Sequence, residues 1–247
     1  SGVITAEGFA LTDIGGIIGH AKISWLTLCA NYSDINVITS PSATRVYAGG
    51  ISGVESAKMC CNFGKISVKG NDVNSQCQVK IGGIIGKGFE GVIYNCYNQG
   101  NVSVDFCTSQ TYIGGISGDS YIIEDAYNCG KITVPENFTG YAGAISGSIG
   151  IDGYAFIDDL PHVNNVYYLE TDLPVGYASC VHPDNVTESD FEITYGNFKK
   201  LSDSEMKIQS SFAGFDFETV WKMEENGYPV LQNQPVLPDP EPDPDPV

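Results

Sequence analysis

Gly82-Gly83-Ile84-Ile85-Gly86, followed by Asn98-Gln99-Gly100-Asn101-Val102-Ser103-Val104, is the stretch that decides the fold. Both halves return along the chain. The diglycine segment recurs at residues 15–19, 49–53, 114–118 and, with one alanine, 143–147; its first glycines are spaced by 34, 33, 32 and 29 residues. The asparagine segment recurs at 31–37, 62–68 and 128–134. In it Ile35/Val37, Ile66/Val68, Val102/Val104 and Ile132/Val134 enclose the polar Asn36, Ser67, Ser103 and Thr133. Apolar–polar–apolar with β-branched ends is the period of a half-buried strand. The Asn-x-Gly/Ser step reads as a turn, because asparagine and glycine adopt positive φ at little cost. Residues 92–97 read as a third strand between the two signatures.

A unit this short cannot cover its own apolar face, whereas stacked copies bury a continuous column. The expected fold is therefore all-β, a parallel β-solenoid of about five coils. At ~4.8 Å per rung it stands on the order of 25 Å tall. Ile17, Ile51, Ile84, Ile116 and Ile145 should point inward, with their flanking glycines serving as corners or as points of close chain passage. A sandwich or barrel would not need the same residue at the same phase in every unit.

The solenoid covers residues 1–169 in this reading, with a loop insertion at 148–164 before the strand Asn165-Val166-Tyr167-Tyr168-Leu169. Residues 170–237 lack the repeat and are expected to cap it. Ser202 and Glu205 have capping-box spacing, which predicts a short helix over 203–209. The aromatic residues Phe212, Phe215, Phe217 and Trp221 are expected to close the end of the stack, whose open strand edges need cover. From Pro238 to Val247 proline alternates with acid, an extended spacer to a neighbouring domain of the same chain. The start at Ser1-Gly2 reads as an excerpt of a longer or processed protein.

Charge narrows the partners. Twelve basic residues stand against 30 acidic ones for a net −18, and Arg45 is the single arginine. Such a surface repels phosphate backbones and anionic lipid heads, so neither nucleic-acid binding nor membrane docking is expected. No apolar run approaches the ~20 residues of a membrane span.

The two signatures, Gly-Gly-Ile-x-Gly and Tyr/Cys-Asn-x-Gly-x-Val-Ser-Val, resemble the GLUG-motif repeat of bacterial surface proteins. The resemblance covers roughly residues 10–235 and extends to the closing Asn-Val-Tyr-Tyr-Leu and Gly-Tyr-Pro-Val-Leu segments. It implies a cell-surface or secreted location and an adhesin-like role, and related arrays lie beside immunoglobulin A-cleaving metallopeptidase domains. The family defines no shared catalytic residues, and no His-Glu-x-x-His occurs in this sequence. The expected function is a non-catalytic extracellular binding or spacer module for a host glycan or extracellular protein. The alternative is a carbohydrate-active enzyme, a polysaccharide lyase or glycosidase, on the same scaffold.

Candidate chemistry is sparse. Cys29, Cys60 and Cys96 stand two residues before the repeat asparagine, where the fourth unit has Ala126, and read as a column of buried small side chains. Cys60 and Cys61 should face opposite sides of their strand. Ser52, Ser117 and Ser146 lack the Gly-x-Ser-x-Gly pattern of a hydrolase elbow and read as structural. His20, His162 and His182 share no ligand spacing. Within the insertion, Asp152, Asp158 and Asp159 with Asn164 and Asn165 supply the hard oxygen donors that calcium prefers, the one cofactor the sequence suggests. Tyr154 and Phe156 interrupt the repeat and are the expected ligand-contacting aromatics.

Overall fold

The computed structural model describes residues 2–8, 10–88, 91–150, 162–171, 177–178 and 194–235. It is a parallel β-solenoid. Each coil passes through three sheets in turn. Sheet I stacks Val3–Glu7, Asp34–Thr39, Ile66–Gly70, Val102–Val104 and Ile132–Thr133. Sheet II stacks Leu11–Gly15, Arg45–Gly49, Gln78–Gly82, Thr111–Gly114 and Tyr141–Gly143. Sheet III carries the remaining 14 strands of the stack, from Ile18–Thr27 to Phe198–Leu201. Like residues meet across rungs: Ile35 pairs Ile66, Ile66 pairs Val102, and Val102 pairs Ile132.

The isoleucine column forms as expected in four of its five members. Ile51, Ile84 and Ile116 are wholly buried and Ile145 is 2% exposed. Their carbonyls take two N–H groups each from the preceding rung, as Ile84 O does from Ile51 and Ser52 (2.9 and 3.1 Å). Ile17 departs from the expectation. It is 48% exposed, because it lies on the first rung and no described residue packs beneath it.

The repeat asparagines lie at the corner between sheets III and I, as expected, but none sits at positive φ; each side-chain oxygen accepts the N–H two residues on and so makes the turn. The left-handed positions fall three residues earlier, at Leu28, Met59, Asn95, Asp125 and Asn165. Asn31, Asn62, Asn98 and Asn128 are buried inside the coil and stacked. Asn31 Nδ2 donates to Asn62 Oδ1, Asn62 Nδ2 to Asn98 Oδ1, and Asn98 Nδ2 to Asn128 Oδ1, each at 2.8 Å. Every Oδ1 also accepts the N–H two residues on, and every Nδ2 also donates to the carbonyl two residues on. Asn128 ends the series by donating to Ala144 O (2.9 Å).

The diglycine segment makes room for this ladder. A Cβ on Gly50 would lie 2.3 Å from Asn62 Cγ, and one on Gly83 would lie 2.3 Å from Asn98 Cγ. None of these glycines has positive φ; they lie at the corner between sheets II and III, where close passage of the ladder excludes a side chain. Where the ladder stops, the constraint stops too. Ala144 replaces the second glycine, and Tyr168 stands on the rung after Asn128. The apolar interior falls into two clusters, one around Ile51, Ile84 and Ile116, the other around Ile35, Ile66 and Ile81.

The C-terminal segment corrects a second expectation: its aromatics cover the flank of the stack, not its end. The residue before each repeat asparagine points outward, which puts Cys61, Tyr97, Tyr127 and Tyr167 in one vertical row. Met206, Phe212, Phe215, Trp221, Val230 and Leu231 bury that row. Tyr127 and Trp221 lie with ring centroids 6.0 Å apart, and Trp221 Nε1 donates to Asn95 Oδ1 (3.1 Å). Phenol groups pin the strap from the last coil back to the first. Tyr167 Oη donates to Ala213 O, Tyr127 Oη to Pro229 O, Tyr97 Oη to Gln234 Oε1 and Tyr32 Oη to Pro235 O. The end rung beyond the repeat is instead Thr194–Tyr195 and Phe198–Leu201, paired in parallel with His162–Leu169.

The expected helix over 203–209 is two 3₁₀ turns, Glu205–Lys207 and Gln209–Ser211. The capping contact does form, since Glu205 Oε2 accepts from Ser202 N (2.8 Å) and Oγ (2.6 Å). Six residues of α-helix would place Met206 and Phe212 about 240° apart. The extended break at Ile208 lets both reach the same tyrosine row. Trp221→Ala should remove about 3 kcal/mol, the usual cost of emptying a buried tryptophan site. Thermal melting followed by near-ultraviolet circular dichroism reads this directly.

Candidate functional site

Tyr154, Phe156, Asp152, Asp158 and Asp159 lie outside the described residues, as do Cys180 and His182. Asn165 is taken up structurally. Its amide donates to Asp125 Oδ1 (2.8 Å), and its carbonyl accepts from Asn197 Nδ2 (2.9 Å). Burial raises the Asp125 carboxyl above its ordinary 3.8, helped by the Asp216 and Glu124 charges. A carboxyl bound more tightly by protons in the folded state costs stability once the pH exceeds its unfolded value. Asp125→Asn keeps the acceptor for Asn165 and should raise the melting temperature at pH 7. The gain should fade as the pH falls below the ordinary carboxylate range, where Asp125 is neutral in both states.

The thiols divide as the sequence suggests. Cys60 and Cys96 are buried inside the coil with Ala126, while Cys61 faces the strap. Each column thiol donates to the carbonyl two residues back: Cys29 to Thr27 (3.5 Å), Cys60 to Lys58 and Cys96 to Tyr94 (both 3.3 Å). Burial pushes the Cys61 thiol up to about 11 and Cys129 to about 12, so neither is a ready thiolate at neutral pH. Ser117 and Ser146 hydroxyls lie 2.7 Å apart within the stack, and Ser117 Oγ donates to Ser120 Oγ (2.9 Å). Ser146 Oγ donates to Ser148 O (2.6 Å).

Sequence reasoning missed a seam of charge and aromatic rings where sheet II meets the first row of sheet III. Register places Asp13, Tyr47, Lys80, Tyr112 and Tyr141 in one column. His20, Lys87, Asp119 and Ser148 lie on the facing strands. Lys80 Nζ and Asp119 Oδ2 are 2.6 Å apart with both side chains 7% exposed, and Ser148 Oγ donates to the other Asp119 oxygen. Asp13 Oδ2 accepts from Arg45 (2.6 Å) and lies 2.9 Å from His20 Nδ1. Arg45, Lys80 and Lys87 all lie within 6 Å of the Tyr47 ring centre. Each residue sits at a strand position that alternation alone marks only as outward. The seam can hold charge at low exposure, and its cations stand against carboxylates or ring faces.

One aromatic surface is open. Trp25, 48% exposed, stacks on Tyr94 at 5.8 Å and 7°. Its outer face offers the flat apolar area on which a sugar ring or apolar side chain packs. Among the described residues no group of three or more His, Cys, Asp or Glu is placed to hold a metal ion. No helix among them is long and apolar enough to cross a membrane.

Fold and surface together define a stacked-repeat β-solenoid with a strapped flank. No family model, curated protein or solved structure matches the chain.

Proposed function

We propose that the chain is a rigid, non-catalytic module of a bacterial surface or secreted protein, adhesin-like, that holds a recognition face at a fixed distance from its neighbours. The observation that carries this reading is the flank strap. Phenol contacts on the first, third, fourth and fifth rungs tie one C-terminal segment to nearly the whole height of the stack. A strap of that kind opposes rung-by-rung peeling, the failure mode of a structure whose units contact only their neighbours. The repeat's polar side chains are spent on stacking, as the asparagine ladder illustrates, which suits a scaffold. The GLUG-like signatures favour the same role.

Recognition falls to exposed aromatics, Trp25 in the described part and Tyr154 and Phe156 in the insertion. The test is a panel of mucosal glycans and host matrix proteins, probed with wild type and Trp25→Ala, alongside an assay for released reducing ends. Binding weakened at least tenfold by Trp25→Ala, with no sugar released, is expected. Release of reducing or unsaturated ends would overturn the non-catalytic reading. A blank panel would confine the module to spacing.

A further inference from the structure

The first coil differs from every coil above it. At the isoleucine phase Ile17 is 48% exposed, against 0–2% for Ile51, Ile84, Ile116 and Ile145. In sheet I, Ile4 and Ala6 are only half-buried where Ile35 and Val37 on the next rung are covered. The opposite end shows no such gap, since Ile145, Ile149, Val163 and Val166 are all buried.

Hydrogen bonding at the open end has a direction. Asn62, Asn98 and Asn128 each accept two bonds at Oδ1, one from a backbone N–H and one from the asparagine amide of the rung before. Asn31 Oδ1 accepts one, from Ser33 N (3.0 Å), among the described residues. Both Asn31 amide hydrogens are used, on Ser33 O and Asn62 Oδ1. Coil 1 therefore presents an acceptor at the ladder phase and no donor. Among the described residues the Ile17 carbonyl likewise receives none of the paired N–H groups that reach Ile51, Ile84, Ile116 and Ile145.

We infer that the open face of coil 1 is the docking surface for one further coil of the same repeat, carried by the same polypeptide and bearing an asparagine at the ladder phase. A second copy does not fit. Stacked head to tail it would offer the end rung, where Lys200, paired with Glu170 (3.2 Å), stands at the ladder phase in place of an asparagine, so no amide continues the series. Stacked head to head, two Asn31 side chains would bring acceptor against acceptor. A lone coil in trans cannot cover its own apolar face, so it is not a stable free ligand. The inference is independent of what the module binds.

The test adds that coil. Val3 pairs with Asp34, so residues 32–62 are one register unit, and a copy fused directly ahead of Ser1 sets its terminal asparagine beneath Asn31. The fusion should melt several degrees higher than the parent and bind less of a hydrophobic dye. Alanine in place of the copied asparagine should lose at least half of the gain. Equal melting of fusion and parent, or of the asparagine and alanine fusions, overturns the proposal. So does a concentration-dependent dimer of the parent in sedimentation. A separate check on the parent needs no added coil. Ile17→Ser should melt within a degree or two of wild type, whereas Ile84→Ser should collapse the stack; equal damage at the two sites would mean that coil 1 is already covered.

Discussion

Asn62→Asp is expected to unfold the stack at neutral pH or leave it barely stable. Asn62 makes four side-chain contacts at zero exposure: it accepts from Asn31 Nδ2 and Gly64 N, and it donates to Gly64 O and Asn98 Oδ1. Aspartate keeps the two acceptor roles and loses both donor roles. It then sets a carboxylate oxygen against two acceptors, Gly64 O and Asn98 Oδ1, at a fully buried position. An unsatisfied buried group costs about 1–3 kcal/mol, and an uncompensated buried charge costs several more. The sum, on the order of 5 kcal/mol, reaches the low end of a domain's total stability. Asn62→Ala leaves the same partners without the charge, so it should cost less than Asn62→Asp. Urea titration of both variants at pH 7 and pH 4 checks the ordering, which should narrow at the lower pH as the carboxylate takes up a proton.

Gly83→Ala is expected to be nearly as damaging, for a steric reason. The new Cβ would stand 2.1 Å from Gly115 O and 2.3 Å from Asn98 Cγ. Both neighbours are held, one in the backbone of the next rung and the other in the ladder, so neither can give way alone. The expected loss exceeds about 4 kcal/mol, the range in which a single replacement has broken a packing constraint. Residue 144 supplies the internal contrast. It occupies the corresponding place in the last diglycine segment, is already alanine, and has no ladder asparagine on its own coil. Ala144→Gly should therefore cost only about 1–2 kcal/mol, through chain entropy and the loss of one buried methyl. A melting experiment on the two variants side by side would reject this account if the Gly83 variant were as stable as the Ala144 variant.

Recurrence at near-constant spacing made the stack legible. Ile51, Ile84 and Ile116 could be assigned to one interior column, and Cys60 and Cys61 to opposite faces, because strand periodicity fixes which residues share a side. The same periodicity says nothing about what lies beyond the outer face. Tyr97, Tyr127 and Tyr167 stand on that outer face, and their cover comes from residues 206–235. Tyr32 and Pro235, which close that cover, are separated by 203 positions. The charged seam was hidden for a related reason. Lys80 and Asp119 are on neighbouring coils, on strands of different sheets, and only the turn through Gly82–Gly83 brings them together. The aspartates and aromatics of the insertion rested on composition alone, with no repeat to set their phase.

By itself the sequence determined the rung: which residues repeat, which side of a strand each takes, and that like must stack on like. It could do so because those are local or periodic properties, written every thirty-odd residues. Only the tertiary structure decided that the asparagines of the turn also form a buried hydrogen-bonded column, and that the diglycines leave room for it. It also decided that the C-terminal aromatics lie along the flank and that coil 1 is the uncovered end. Each of these depends on what a side chain meets across the coil or from a distant segment, and a one-dimensional pattern does not encode that contact.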